Sequence, residues 1–296
     1  MAMPKMHNTP AGRVFDVFNF VVLGIIGLMT VLPFLYIVAG SFATEAELTR
    51  RSFFIWPETF SLDSYNYIFS TSTFIRSLFV SIGITVVGTI VCLLFTFSMA
   101  YPLSRKTLMG RNLIMNLIVF SMLFSGGMIP TFIVVKNLGL LDSFWALILP
   151  LAINPFNLII VKTFFQNIPL ELEESAKIDG CTEIGIFWRI MLPLSKPVLA
   201  TFALFYAVAI WNDFFSALLY INDNTKWPVQ VLLQQIIILS QSSLSDAASN
   251  ASNYIEPPEQ SLKLAVVVVA TLPILCVYPF LQKHFAKGML LGSVKG

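Results

Sequence analysis

The sequence predicts an all-α, polytopic membrane protein with six transmembrane helices and both termini in the cytoplasm. Charge comes first: only 34 of 296 residues are Asp, Glu, Lys or Arg, or 11%, against about 25% in an average soluble domain. Hydrophobicity comes second: 56% of residues are hydrophobic, 27 of them Phe, and the mean hydropathy is +0.80. The third observation is that the apolar residues gather in runs long enough to cross a bilayer. A soluble surface needs more charge than this, and disordered chains are polar and poor in aromatics. A net charge of +2, with no basic stretch interleaved with aromatics, argues against a nucleic-acid partner.

The runs are Phe15–Gly40, Phe74–Tyr101, Leu113–Val135, Phe144–Phe165, Val198–Ile221 and Leu262–Phe280. At about 1.5 Å per residue each reaches across about 30 Å of hydrocarbon. Helix is the expected form, because lipid cannot satisfy exposed backbone groups. The first run is too long for the apolar part of a cleavable signal, so it is expected to remain as a span. With the N-terminus inside, twelve of the 18 cations fall on the cytoplasmic side, and the loop 102–112 holds Arg105, Lys106 and Arg111 with no acid. Two outer connections are long. Ser41–Thr73 carries Trp56-Pro57 and is expected to form short structure, whereas 222–261 is rich in Ser, Asn and Ala at its centre and reads as flexible there. Asn250-Ala251-Ser252 matches a glycosylation acceptor on three residues, a weak signal. Cys92, Cys181 and Cys276 are scattered and offer neither a disulfide framework nor a zinc spacing. His7 and His284 lie in terminal segments away from any ligand cluster, so no metal or catalytic role is expected of them.

One connection breaks the apolar pattern. Residues 169–197, PLELEESAKIDGCTEIGIFWRIMLPLSKP, hold eight of the 34 charges and face the cytoplasm in this topology. Pro169 at a helix start and acids at 171, 173 and 174 suit a first short helix. Gly180 is placed to stop it, and Thr182 to cap a second helix with Ile184, Phe187, Trp188 and Met191 apolar. Pro193 and Pro197 mark the turn into the fifth span. A loop packing on its own helix ends is one reading. A docking site for a cytoplasmic partner is the other, since Phe187, Trp188 and Met191 are costly to leave in water.

This stretch resembles the EAA motif of ABC importer permeases: Glu-Ala-Ala, three residues, Gly, nine residues, Ile-x-Leu-Pro. Here it reads Glu174-Ser175-Ala176, Gly180 and Ile190-Met191-Leu192-Pro193, with Ser175 the one departure over 20 positions. Ile178-Asp179-Gly180, Phe187 to Leu194, Lys196-Pro197, Trp211-Asn212-Asp213-Phe214-Phe215 and the tail Lys287-Gly288 to Gly296 are similar to the carbohydrate branch, in particular its maltose G-type subunits. Gly126-Gly127-Met128-Ile129-Pro130 and Asn137-Leu138-Gly139-Leu140-Leu141-Asp142 resemble a subgroup that carries plant- or alga-derived oligosaccharides such as alginate or pectin fragments. The resemblance implies one permease domain over 1–296 in a bacterial cytoplasmic (inner) membrane. In such a domain 169–197 is the coupling loop and 222–261 a long extracytoplasmic loop. It further implies a second permease subunit, a dimer of ATPase subunits that binds ATP and Mg, and an extracytoplasmic solute-binding protein. Coupling to the ATPase is then expected of Glu174, Ser175, Ala176, Asp179, Gly180, Phe187, Trp188, Ile190, Leu192 and Pro193. Independently, no Gly-x-x-x-x-Gly-Lys-Ser/Thr loop occurs, so hydrolysis is expected in another subunit and no cofactor in this one.

Polar residues within the runs are candidates for the substrate pathway: Asn154, Asn157, Tyr206, Trp211, Asn212 and Asp213. An acid at mid-membrane costs about 2.5–3.5 kcal/mol on insertion scales, so Asp213 is expected to face a cavity or gate, or to hydrogen-bond another helix. Asn154 and Asn157 are three apart and expected on one helix face, with Pro150 and Pro155 freeing carbonyls nearby. Phe156, Phe202 and Tyr206 offer a sugar aromatic faces or simply pack. Gly126, Gly127 and Pro130 bend the third span or let helices approach. For a uronate, Arg76 and Lys136 either line the route or snorkel to the interface, and Arg50 and Arg51 meet the binding protein or are solvated. Two other classes remain open at this point: an ion-coupled secondary transporter with Asp213 as the coupling acid, and a polytopic membrane enzyme. The EAA spacing favours the importer subunit.

Overall fold

The computed structural model describes residues 10–246 and 260–293, which form two compact units. Lys5, His7, Asn250-Ala251-Ser252, Pro257-Pro258 and Val294-Lys295-Gly296 lie outside the described residues, as does the side chain of His284. All regular elements among the described residues are helical, and extended pairing is confined to an antiparallel bridge between Ala43 and Phe60.

The first unit takes residues up to Thr71 together with Ile236–Val269. Helix α1 (Pro10–Ser41) opens on a proline, whose missing N–H is unneeded in a first turn. Helices α2 (Glu45–Arg50) and α3 (Asp63–Ser70) are the short structure expected in the 41–73 connection. The buried carboxylate of Glu47 gathers the turn between them. It accepts from the amide of Glu58 at 2.9 and 3.0 Å, from the amide of Thr59 at 3.2 Å and from Arg51 at 3.0 Å. Ala39, Ala43, Leu48 and Phe54 pack beneath it.

The second unit is Ser72–Gln235 with the chain from Ala270 onward. Its axis is α4 (Ser72–Ser104), 33 residues long. Next come α5 (Arg111–Leu123) and α6 (Met128–Asn137), then α7 (Trp145–Ile148), which passes through a 3-10 turn into α8 (Pro155–Gln166). The 169–197 stretch forms α9 (Glu171–Ile178) and a second helix. That helix begins as α10 (Glu183–Ile186), widens into a π-turn over Phe187–Met191 and closes as α11 (Leu192–Leu194). Helices α12 (Lys196–Trp211), α13 (Phe215–Tyr220), α14 (Val229–Asp246) and α15 (Gln260–Ser293) complete the order. Helix α4 packs on α8 and α12 around Cys92, Phe97, Leu158, Val161, Phe165 and Ile210, with Phe97 edge-on to Phe165 at 5.9 Å.

Among the described residues three helices are long and apolar enough to cross a membrane, and three bent pairs bring the number to six when each pair is one span. Two of these bends lie at the glycines and prolines that the sequence offers as breaks in the third and fourth spans, and the third lies where the 169–197 loop enters the fifth. Helices α5 and α6 meet at 119°, because Gly127 adopts φ 85°, ψ −179°, a conformation open in practice to glycine alone. The fourth span turns by 53° before α8, where Pro155 leaves no N–H to continue a helix and Asn154 caps a new one. The fifth run is broken after Trp211, so that α12 and α13 are separate helices. Part of the 222–261 connection expected to be flexible is also regular: the apolar stretch at the start of α14 carries helix on to Asp246.

Candidate functional site

The 169–197 loop is built by local chemistry at its turn. Helix α9 starts at Glu171, two residues after Pro169, with Glu171, Glu173 and Glu174 in its first turn at the positive end of the dipole. Gly180 ends it at φ 79°. The amide of Cys181 reaches back to the carbonyl of Ala176 at 2.9 Å and that of Gly180 to Lys177 at 3.0 Å, the Schellman pattern. Thr182 then caps α10, its hydroxyl accepting from the amide of Gly185 at 3.2 Å. An 81° bend at Ser195 turns the chain into α12.

The root of the loop is tied to the end of α4. Glu173, only 5% exposed, accepts from the Tyr101 hydroxyl at 2.6 Å and forms an ion pair with Arg105. The guanidinium of Arg105 lies over the Tyr101 ring, 4.7 Å from its centre. The same hydroxyl is 3.2 Å from Glu183, which pairs with Lys177 at 2.7 Å. That carboxylate holds the Lys177 ammonium above its ordinary pKa. Phe187 packs against the Tyr101 ring at 5.4 Å.

Of the residues expected to couple, the structure splits two sets. Ala176 and Phe187 are buried against the chain itself, and Ile190 and Leu192 are half-buried, so these build the loop. Glu174, Ser175, Asp179, Gly180, Trp188 and Pro193 are exposed. Ile178 (86% exposed) and Ile184 (73%) join that exposed face. One face of the loop packs on its own chain, and another is exposed. Glu173, Tyr101 and Arg105 were not singled out from the sequence as a group, since 68 residues separate Arg105 from its acid.

The pathway candidates do not converge. Asn154 is exposed, and its side chain caps α8 by accepting from the amide of Asn157 at 3.1 Å, so the pair does not share a face of one continuous helix. Asn157 is buried. The Tyr206 hydroxyl bonds Thr96 at 2.7 Å and the Trp211 indole donates to the carbonyl of Ala270 at 3.2 Å, so both are turned to packing partners. Asn212 is exposed and donates to Val208 of its own helix. Asp213 sits at the break before α13, where it accepts from the amide of Ser216 at 3.1 Å. It also lines a small cavity with Ser81, Ile84, Thr85, Leu147, Ile210 and Pro228. Of the six candidates it alone lines that cavity. Phe156, Arg76 and Lys136 are exposed and Phe202 is buried.

Residues 93–291 match the family model described as the binding-protein-dependent transport system inner membrane component. The chain belongs to this family. It is 71% identical to Protein LplC of Bacillus subtilis (strain 168) over 293 residues, covering 98% of both chains. It is 59% identical to the polygalacturonan/rhamnogalacturonan transport system permease protein YtcP of the same organism, covering 96% of this chain and 99% of the other. It also superposes, with a TM-score of 0.85 and 31% identity over 94% of its length and 99% of the other's, on a chain of a crystallised bacterial ABC transporter involved in the import of the acidic polysaccharide alginate. As an inner membrane component of this family it is a multi-pass permease subunit of an oligosaccharide ABC importer, and the ion-coupled carrier reading falls.

Proposed function

We propose that this permease subunit carries an acidic, pectin- or alginate-derived oligosaccharide and that its 169–197 loop seats in a separate ATPase subunit at the cytoplasmic face. The observation that carries the docking role is the exposure of Ile178, Ile184 and Trp188 on a loop whose inner side is buried and ion-paired to α4. Three large apolar side chains held in water on a rigid base fit a partner groove. Glu174, Ser175 and Asp179 border them. Two copies of the ATPase would bind ATP and Mg, a second permease would complete the membrane pathway, and an extracytoplasmic binding protein would deliver the sugar. The substrate class rests on the names of the relatives.

The test is reconstitution of the chain with its second permease, ATPase and binding protein in proteoliposomes. Oligogalacturonides are expected to stimulate ATP hydrolysis and to be taken up, whereas neutral maltodextrins do neither. Equal stimulation by maltodextrin would overturn the substrate class. Uptake that persists without the ATPase subunit would overturn the docking role.

A further inference from the structure

We propose that Tyr101, Arg105 and Glu173 form a strut that makes the end of α4 and the coupling loop move as one body, so that they are positioning residues for transport. The proposal rests on the docking role of the loop and adds the route by which its motion enters the membrane.

Three observations support a strut. The first is chemical necessity. Arg105 is largely buried, Glu173 is its one ion-pair partner among the described residues, and its Nε has no acceptor. Pulling α9 from α4 would leave both a buried cation and a buried carboxylate unpaired, which is strongly unfavourable. The second is redundancy at one place: hydroxyl donation from Tyr101, stacking of the guanidinium on its ring, and packing of that ring against Phe187 and Phe165. Both helices of the loop are thereby fastened to one turn of α4. The third is position. Tyr101 and Arg105 lie at the end of the helix that packs along α8 and α12, and α4 also lines the Asp213 cavity through Ser81, Ile84 and Thr85. Displacement of the loop is therefore delivered to the central helix of the unit, beyond its direct chain link to α12.

Tyr101 adds a second property. A hydroxyl has one proton, and two carboxylates accept from it, Glu173 at 2.6 Å and Glu183 at 3.2 Å. It can donate fully to one at a time, so the fastening of α9 and that of α10 compete for it.

The assembled importer is compared with Glu173→Gln, Arg105→Glu, Tyr101→Phe and the exchange Arg105→Glu/Glu173→Arg, using oligogalacturonides as the probe. The readout is sugar taken up per ATP hydrolysed. Each single charge variant is expected to keep hydrolysing ATP while this ratio falls on the order of tenfold, within the span of ordinary coupling energies. The exchange is expected to restore most of the ratio, and Tyr101→Phe, which keeps the ring, to lower it less than Glu173→Gln does. Restoration by exchange separates a strut from a residue that only helps the chain fold. If a single charge variant fails to assemble, the exchange and Tyr101→Phe still decide, since a wild-type ratio in Tyr101→Phe with no restoration in the exchange overturns the strut. A wild-type ratio in Glu173→Gln overturns it as well. If instead the wild-type importer shows no sugar-dependent hydrolysis, the coupling reading itself fails.

Discussion

Asp142 reaches 80 residues along the chain to Asn222: its carboxylate accepts from that residue's backbone amide at 2.6 Å, and from the amide of Asp223 at 3.0 Å. Asp142 sits at φ 60°, a left-handed conformation unusual for a residue with a side chain, and its own amide donates to the carbonyl of Tyr220 at 2.9 Å. Lys226 closes the arrangement on the Asp142 carbonyl at 2.8 Å. Two connections are thus latched at one residue. The two amides hold the Asp142 carboxyl below its ordinary value of 3.8. A lowered folded-state pKa stabilises the latch fully above that value, and the contribution is lost as pH falls from 3.8 through the lowered one. Asp142→Asn should therefore melt earlier than wild type in detergent at pH 7. The difference should shrink below about pH 4 as the wild-type carboxylate is protonated.

Ala176 and Ile178 are two residues apart and should respond oppositely to a new charge. Ala176→Asp buries a carboxylate against the chain and should weaken α9, seen as faster hydrogen exchange across Glu171–Ile178. Ile178→Asp alters only the exposed face. It should leave that exchange unchanged while abolishing co-purification of the ATPase subunit.

Gly180 holds a left-handed backbone that any side chain resists, so Gly180→Ala should cost about 1–2 kcal/mol at the turn. Thr182→Ala removes the cap of α10 at about 1 kcal/mol. Amide exchange of Cys181 and Gly185 reads each effect separately.

Asp213→Asn keeps a side-chain oxygen able to cap α13, whereas Asp213→Ala leaves the Ser216 amide without it, at a cost of about 1 kcal/mol. Uptake driven by ATP should survive the first change in proteoliposomes and fall more in the second. Abolition by both alike would mean that the carboxylate's charge, not its cap, is what transport uses.

The parts of the fold legible from sequence are those governed by neighbours in the chain. Gly180 and Thr182 announce the turn between α9 and α10 because caps act over three or four residues, and Gly126-Gly127 marks the bend of the third span for the same reason. The break after Trp211 stays hidden, since Phe214 and Phe215 continue an apolar run through it and only a side-chain cap, Asp213 on Ser216, reveals a new helix. Helix α14 is obscured by composition: the Gln and Ser of its later turns mask the apolar residues at its start. The root of the 169–197 loop is illegible for another reason. Arg105 reads as a topology signal on its own, and nothing local pairs it with Glu173, while the motif places its weight on the next residue, Glu174. The motif marks the outer face of the loop, and the buried face depends on contacts distant in sequence.

The sharp bend at Gly127 has a consequence for biosynthesis. At about 1.5 Å per residue, the 13 residues of α5 and the 10 of α6 are each too short to cross the bilayer, whose hydrocarbon is about 30 Å thick. Neither helix can be released into lipid by itself during translation. The pair must enter together, or wait beside the insertion machinery until α7 and α8 emerge to shelter the uncovered amides around Gly127. Ribosomal pausing between Leu123 and Gln166 should therefore affect yield more than pausing after α1 or α4, helices that each reach across the membrane alone.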